Sequence, residues 1–318
     1  MNYKSFNQQN DVFVANMNRT ELPHLPPGAY TLSFVPQSDT IFFQKVKMSY
    51  DTLIDLPSPE YEHVMREVNV FLNADTRQKF RDYGFLYKRS FLLHGTHGTG
   101  KTCLVNRVGE KVIAGGGIII FNPDVALLKK AFSILDDVQP NHTTMVIFEE
   151  FEELLAVDEG ELLSLLDGEI QKDNVMYLAT TNHFDQIPDR LKRPGRFATI
   201  LEVKFPNLEA RRVYLTKKLL ADDQSEVENW AQLSDGLSID ELKESVLSVK
   251  CLGNTLESTV ERLLSTKKDS IAGISIKEGY KKYIEEEAAY QESQRLENEA
   301  YRLISTPPRR PQSNKPRR

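Results

Sequence analysis

Residues 95–102, Gly-Thr-His-Gly-Thr-Gly-Lys-Thr, place one glycine, four residues, and then Gly-Lys-Thr. That is the spacing of a loop that wraps a phosphate chain. The glycines allow a tight turn and a close backbone approach, so that several amide N–H groups aim at an anion. Gly95, Thr96, His97, Gly98, Thr99, Gly100, Lys101 and Thr102 are therefore the candidate ligand residues. Lys101 would reach the β- and γ-phosphates, and the Thr102 hydroxyl would hold Mg²⁺. A second constellation is Val146-Ile-Phe-Glu149-Glu150, an apolar run ending in two acids. Glu149 would support the Mg²⁺ water shell and Glu150 would polarise an attacking water. The competing reading is a solvated charge run, since Glu152 and Glu153 continue it. Placement directly after an apolar strand, one βα unit past the loop, argues for chemistry.

These groups need a frame. Ser90–His94 is a short apolar run that reads as a buried strand before the loop, and Thr102–Val108 reads as the start of a helix after it. Further strands are predicted over 118–121, 145–148 and 175–179, with helical patterns between them. One of those helices carries Val125, Leu128, Phe132 and Leu135, with Asn122 and Pro123 as its cap and first position. Another is centred on 161–166. Strands of continuous β-branched character alternating with helices predict an α/β fold, a parallel sheet covered on both faces. Ligands of such sheets bind at the carboxyl ends of the strands, where the polar candidates lie.

Ahead of this unit, residues 1–22 read as a loose arm. Runs over 29–35 and 40–48 read as a hairpin that could serve as an adaptor surface. Pro57-Ser-Pro59 opens a helix carrying Tyr61, Val64, Met65, Val68 and Leu72. Past Pro206 the pattern becomes helical: 209–221, 226–233 with the single Trp230, a capping box Ser238–Glu241 opening a helix through Leu247, and 256–264. A charged helix over 278–304 and a Pro-rich basic tail over 307–318 close the chain. The expected division is 1–50 arm and hairpin, 51–206 nucleotide-binding domain, 207–270 helical lid, and 271–318 charged helix and tail.

Of 318 residues, 40% are hydrophobic and 27% charged, the balance of a soluble globular chain, and the net charge of −6 argues against general affinity for nucleic acid. Cys103 and Cys251 show no spacing that suggests zinc, a reducing compartment fits, and a cytoplasmic location is the expectation. No stretch has the length and apolarity of a membrane span, so no membrane partner is expected.

On these motifs the chain resembles the AAA family of ATPases. Gly95–Thr102 is similar to its Walker A motif and Val146–Glu150 to its Walker B. Ala179-Thr-Thr-Asn182, followed by Ile187-Pro-Asp-Arg-Leu-Lys-Arg193-Pro-Gly-Arg196-Phe197, resembles the family's second region of homology. Leu163-Leu-Ser-Leu-Leu-Asp167-Gly168 is similar to the helix before the sensor strand, and Gly236–Asp240 to a core helix of the lid. The likeness spans roughly residues 51–267. It implies ATP and Mg²⁺ as cofactors, Asn182 as the first sensor, and Arg193 and Arg196 as fingers reaching into a neighbouring subunit of a homo-oligomeric ring, a hexamer, that remodels a protein. There are departures: Thr96-His97 replaces a usual proline pair, Glu149 a usual Asp, no second-sensor arginine is present, and the segment before Walker B is short. That shortness, with the run Tyr87–His94, is most similar to the AAA branch that works in respiratory-complex assembly; that branch has a membrane helix, and none is expected here. Two other readings stay open: a nucleic-acid-associated ATPase, for the basic tail, and an ATP-binding switch or scaffold with little turnover, for Glu149 and the short segment.

Overall fold

The computed structural model describes residues 5–9, 12–16, 22–36, 40–47, 54–167, 172–219 and 224–265. The chain divides into two compact units, Met1–Val260 and Glu261–Arg318, and the sheet, its helices and the site all belong to the first. The charged helix expected over 278–304 and the basic tail lie outside the described residues.

The strands are β1 (Ser5–Gln9), β2 (Val12–Asn16), β3 (Gly28–Val35), β4 (Thr40–Val46), β5 (Lys88–His94), β6 (Ile118–Phe121), β7 (Thr144–Phe148), β8 (Val175–Thr181) and β9 (Thr199–Glu202). Among the described residues they form one nine-stranded sheet in the order β1-β2-β4-β3-β6-β7-β8-β5-β9. From β3 to β9 every neighbour pair is parallel. Side chains alternate across this part of the sheet, and both faces are apolar. Leu92, Ile118, Ile120, Val146, Phe148, Val175 and Tyr177 enter one core. Phe91, Leu93, Ile119, Met145, Ile147, Met176 and Leu178 enter the other. A strand buried on both sides has no polar face to show, so these segments read as unbroken apolar runs.

Helices α1 (Pro59–Phe71) and α3 (Lys101–Ala114) cover one face; α4 (Val125–Val138) and α5 (Phe151–Asp167) cover the other. A short α2 (Ala74–Asp82) follows α1, and α6 (Leu208–Leu219), α7 (Gln224–Leu233) and α8 (Ile239–Val246) form the helical segment after the sheet. Its core holds Trp230, Leu215 and Leu242, and the buried Arg211 donates to the carbonyls of Pro206 and Ala231. The capping box at α8 is present as expected, with Ser238 and Glu241 satisfying each other's backbone N–H groups.

Three expectations need correction. The hairpin over 29–48 forms, but it is no separate surface: β3 pairs in parallel with β6, and buried Tyr30, Ile41 and Phe43 join the core beside α4. Residues 1–22 are not a loose arm throughout, because β1 and β2 pair antiparallel and β2 continues onto β4. Val12-Phe-Val14 after the turn-type pair Asn10-Asp11 is the signal for that second hairpin. Lastly, Asn122 does not cap α4. Asp124 does, its carboxylate accepting from Leu127 N–H at 3.0 Å, and Asn122 is free for work in the site.

Candidate active site

The loop between β5 and α3 is shaped by its glycines. Gly95 has φ 150°, and a side-chain carbon there would stand 2.3 Å from the Val203 carbonyl oxygen of the strand-like segment beside it. Only glycine fits that approach. Gly100, also left-handed, precedes α3, and no side chain caps the helix, so its first N–H groups face the loop. Lys101 curls back over the loop, its Nζ donating to the carbonyls of Gly95 at 2.7 Å and Thr96 at 2.8 Å. Burial lowers the pKa of this amine, and Glu152 partly opposes the shift.

A cleft of about 450 Å³ lies over this loop, lined by His97, Gly98, Gly100, Lys101, Thr102, Cys103, Asn122, Glu149, Glu150, Thr180, Asn182, Ile239 and Asp240. Three strands therefore deliver their carboxyl ends to one place. β7 contributes Glu149 and Glu150, and β8 contributes Thr180 and, one residue past its end, Asn182. β6 contributes Asn122, whose Oδ1 accepts from Glu149 N–H at 2.7 Å. Glu150 has φ 52°, a left-handed conformation that costs a non-glycine residue on the order of 1–2 kcal/mol. Asn122 shares it, with φ 40°. Such cost concentrated at strand ends is typical of sites where side-chain direction matters more than local stability.

Glu149 Oε1 is buried without a hydrogen-bond partner. Burial pushes its carboxyl pKa up, the hydrogen bond with Thr102 opposes this, and neighbouring Glu150 adds to the rise. A carboxylate with an orphaned oxygen beside a threonine hydroxyl fits a hard divalent cation. Among the described residues no cluster of three or more acidic, histidine or cysteine side chains forms a protein-only metal cage. One carboxylate and one hydroxyl are what Mg²⁺ needs when phosphate oxygens supply other ligands.

Sequence reasoning missed several lining residues or supports, Cys103 and Thr180 among them. Asn122 was read as a cap. Glu152 accepts from Asn182 N–H at 3.3 Å and leaves its other oxygen buried and unpaired. Ile239 and Asp240 come from α8, where Ile239 N–H donates to the Gly98 carbonyl at 2.9 Å. No local pattern reports contacts made across so much chain. A second cavity of about 290 Å³ shares Gly100 and Cys103 with the cleft and is otherwise largely apolar, with Ile54, Leu56, Tyr61, Phe205 and Pro206 in its wall.

Arg193 and Arg196 are not in this cleft. β9 pairs in parallel with β5, Thr199 opposite Phe91 and Glu202 opposite His94. The phosphate loop follows His94, whereas the arginines precede Thr199. They stand at the opposite end of the same strand pair, more than ~10 Å of extended chain away.

A parallel sheet, a glycine loop running into a helix N-terminus, and an acid pair ending the strand two places away are the arrangement of a P-loop nucleoside-triphosphate site. Residues 91–205 match the model of the ATPase family associated with various cellular activities (AAA). It is 29% identical over 213 residues to the proteasome-activating nucleotidase of Aeropyrum pernix, covering 58% of this chain and 51% of that protein. It is 28% identical over 248 residues to the nucleotidase of the same name from Saccharolobus islandicus, covering 68% and 61%. The human ATPase family gene 2 protein homolog A is 28% identical over 194 residues, covering 54% of this chain and 21% of its own length. The chain thus spans between half and two thirds of the archaeal relatives' length. Among the described residues no helix is long and apolar enough to cross a membrane.

Proposed function

We propose that this protein binds ATP with Mg²⁺ and hydrolyses it as a ring of identical subunits, a hexamer, to remodel a protein partner. The observation that carries the ring is the separation of Arg193 and Arg196 from their own phosphate loop by the length of a strand pair. A triphosphate in the cleft has Lys101 as its cation within the subunit, and the charge that develops during transfer needs another. A neighbour's arginine end supplies it.

Within one subunit the roles divide as follows. The amides of residues 95–102 and Lys101 cradle the phosphates, and the apolar second cavity suits the base. Thr102 and Glu149 would hold Mg²⁺, which when bound neutralises charge on the β- and γ-phosphate oxygens. Glu150 takes a proton from the attacking water, and Asn182 orients that water from the end of β8. Glu152 fixes the Asn182 backbone. Ile239 and Asp240 join the phosphate loop to α8, so a change in the phosphates moves the helical segment. Remodelling of a protein is favoured by likeness to nucleotidases named as proteasome-activating.

The test is specific ATPase activity against protein concentration, alone and in mixtures. Activity should rise with concentration as rings form. Arg193→Ala should bind ATP normally and lose on the order of 10³ in turnover. Mixing it with Lys101→Ala should restore part of the activity, because a Lys101→Ala subunit still offers its arginine to an intact loop. Concentration-independent activity without rescue would retire the ring. Stimulation by DNA or RNA rather than by unfolded protein would favour a nucleic-acid-associated ATPase instead.

A further inference from the structure

The two arginines of the 193–197 turn are held in opposite ways. Arg196 spends its guanidinium inside its own subunit. Nε donates to Asp167 Oδ1 at 2.7 Å, Nη2 donates to Asp167 Oδ2, and Nη1 donates to the Arg190 carbonyl. The pair with Asp167, the last residue of α5, is the two-pronged arrangement that makes arginine–carboxylate pairs directional. It holds the Asp167 carboxyl below its ordinary pKa, mainly through that hydrogen bonding. The backbone is pinned as well. The Ser90 hydroxyl donates to the Arg196 carbonyl and accepts from Ala198 N–H at 3.0 Å. Lys88 Nζ donates to the Leu166 carbonyl at 2.7 Å, with the Gly195 carbonyl at 3.5 Å. Both Lys88 and Ser90 are on β5, the strand that runs into the phosphate loop. Arg193, three residues before Arg196, is exposed, and its side chain has no partner among the described residues.

We propose that Arg196 and Asp167 are a positioning pair and that Arg193 alone touches the neighbour's phosphates; the idea rests on the ring reading above. Pro194-Gly195, with Gly195 at φ 97°, is a turn whose glycine brings conformational freedom. Unpinned, it would let Arg193 sample many directions. Pinned between α5 and β5, it presents one. For Arg196 to bind a phosphate it would have to give up three intrasubunit hydrogen bonds, including a charged pair. Arg193 has none to give up.

The experiment uses the full-length chain and four changes: Arg193→Ala, Arg196→Ala, Asp167→Asn, and the reversed pair Asp167→Arg with Arg196→Asp. Asp167→Asn should lower kcat about 10- to 100-fold, the cost of a misplaced catalytic group, with KM for ATP and the melting temperature unchanged. The loss should fall on the neighbouring site. Mixing Asp167→Asn with Lys101→Ala subunits should therefore restore turnover, since the latter carry a correctly aimed Arg193. The reversed pair should recover most of the kcat. Full activity in Asp167→Asn would overturn the proposal, and this conservative variant decides the matter if the reversed pair does not fold. A reversed pair that folds and assembles yet stays as inactive as Arg196→Ala would show that Arg196 itself meets the nucleotide. Failure of the ring reading looks different: Arg193→Ala would then turn over normally, whatever the pair does.

Discussion

The two ends of β5 are built on opposite principles. At the carboxyl end, the acids beside the loop keep oxygens without partners, Glu149 Oε1 and Glu152 Oε2, and Asn122 and Glu150 hold left-handed backbones, a conformation that Asn174 shares at the amino end. At the amino end, charges find each other: Arg89 with Glu67, Arg196 with Asp167, Arg190 with Glu159. Unpaired buried groups cost free energy that a bound ligand can return. Paired surface charges contribute little to stability but fix geometry. One end is arranged to receive a ligand, the other to hold a shape. Arg193 is the exception on the ordered side, and that is why it is the candidate for export.

The largest effect that tests this contrast is at the receiving end. Lys101→Ala should weaken ATP binding by at least ~100-fold, because the phosphates lose the lysine that the loop holds over them. A calorimetric titration measures it directly. Unchanged affinity would remove the site from that end of the sheet altogether.

Next come the two acids. Glu150→Gln should bind ATP as before and lose roughly 10²–10⁴-fold in turnover, because an amide cannot accept the water's proton. Glu149→Gln should instead raise the Mg²⁺ concentration needed for half-maximal rate. If excess Mg²⁺ leaves Glu149→Gln slower than Glu150→Gln, the assignments are reversed. The same variant tests the idea of a cost awaiting a ligand. The Glu149 pKa is raised in the fold, so the folded state binds the proton more tightly than the unfolded one. Its contribution is therefore unfavourable once pH passes the folded pKa, and absent below the unfolded one. Glu149→Gln should accordingly raise the melting temperature of the nucleotide-free protein at neutral pH. Near pH 4 the gain should vanish. A gain that persists in acid would have another cause.

What could be read from residues alone followed burial. β7 and β8 are apolar throughout, so Met145–Phe148 and Val175–Ala179 announce themselves, and the glycine spacing of residues 95–102 is local by nature. β9 escaped because Thr199–Glu202 is four residues long, partly exposed, and directly follows a turn. Its partner β5 supplies the pattern that it lacks. α2 escaped because none of its residues is buried, leaving no apolar stripe. In the site, the Walker-type residues were legible because each lies within a few positions of its strand. Asp240 was not, since its place depends on how α8 packs against Gly98. The Arg196–Asp167 pair joins residues 29 apart, and spacing along the chain does not encode it.

Asp240 provides the smallest and most specific test of the two-ended arrangement. A helix N-terminus near phosphates normally attracts them, through free N–H groups and the helix dipole. Here the capping box satisfies part of that end, and Asp240 adds a negative charge to the cleft. A side-chain carbon placed on Gly98 would stand 3.1 Å from Asp240 Oδ2, so the carboxylate lies close against the phosphate loop. It should repel a triphosphate. Removing one exposed charge at a helix end changes an anion's binding by about 0.3–1 kcal/mol, less than tenfold. Asp240→Asn should therefore tighten ATP binding about three- to fivefold at low ionic strength, with less change for ADP, which carries one fewer phosphate. Because the charge is exposed, the difference should shrink as salt is raised toward 0.5 M. Asp189→Asn is the matched control, an acid 97% exposed near the arginine end, and it should leave affinity unchanged. Equal effects from Asp189 and Asp240 would mean that only net charge matters. A salt-independent gain confined to Asp240 would mean that the carboxylate acts through the α8 contact with Gly98 rather than through its field.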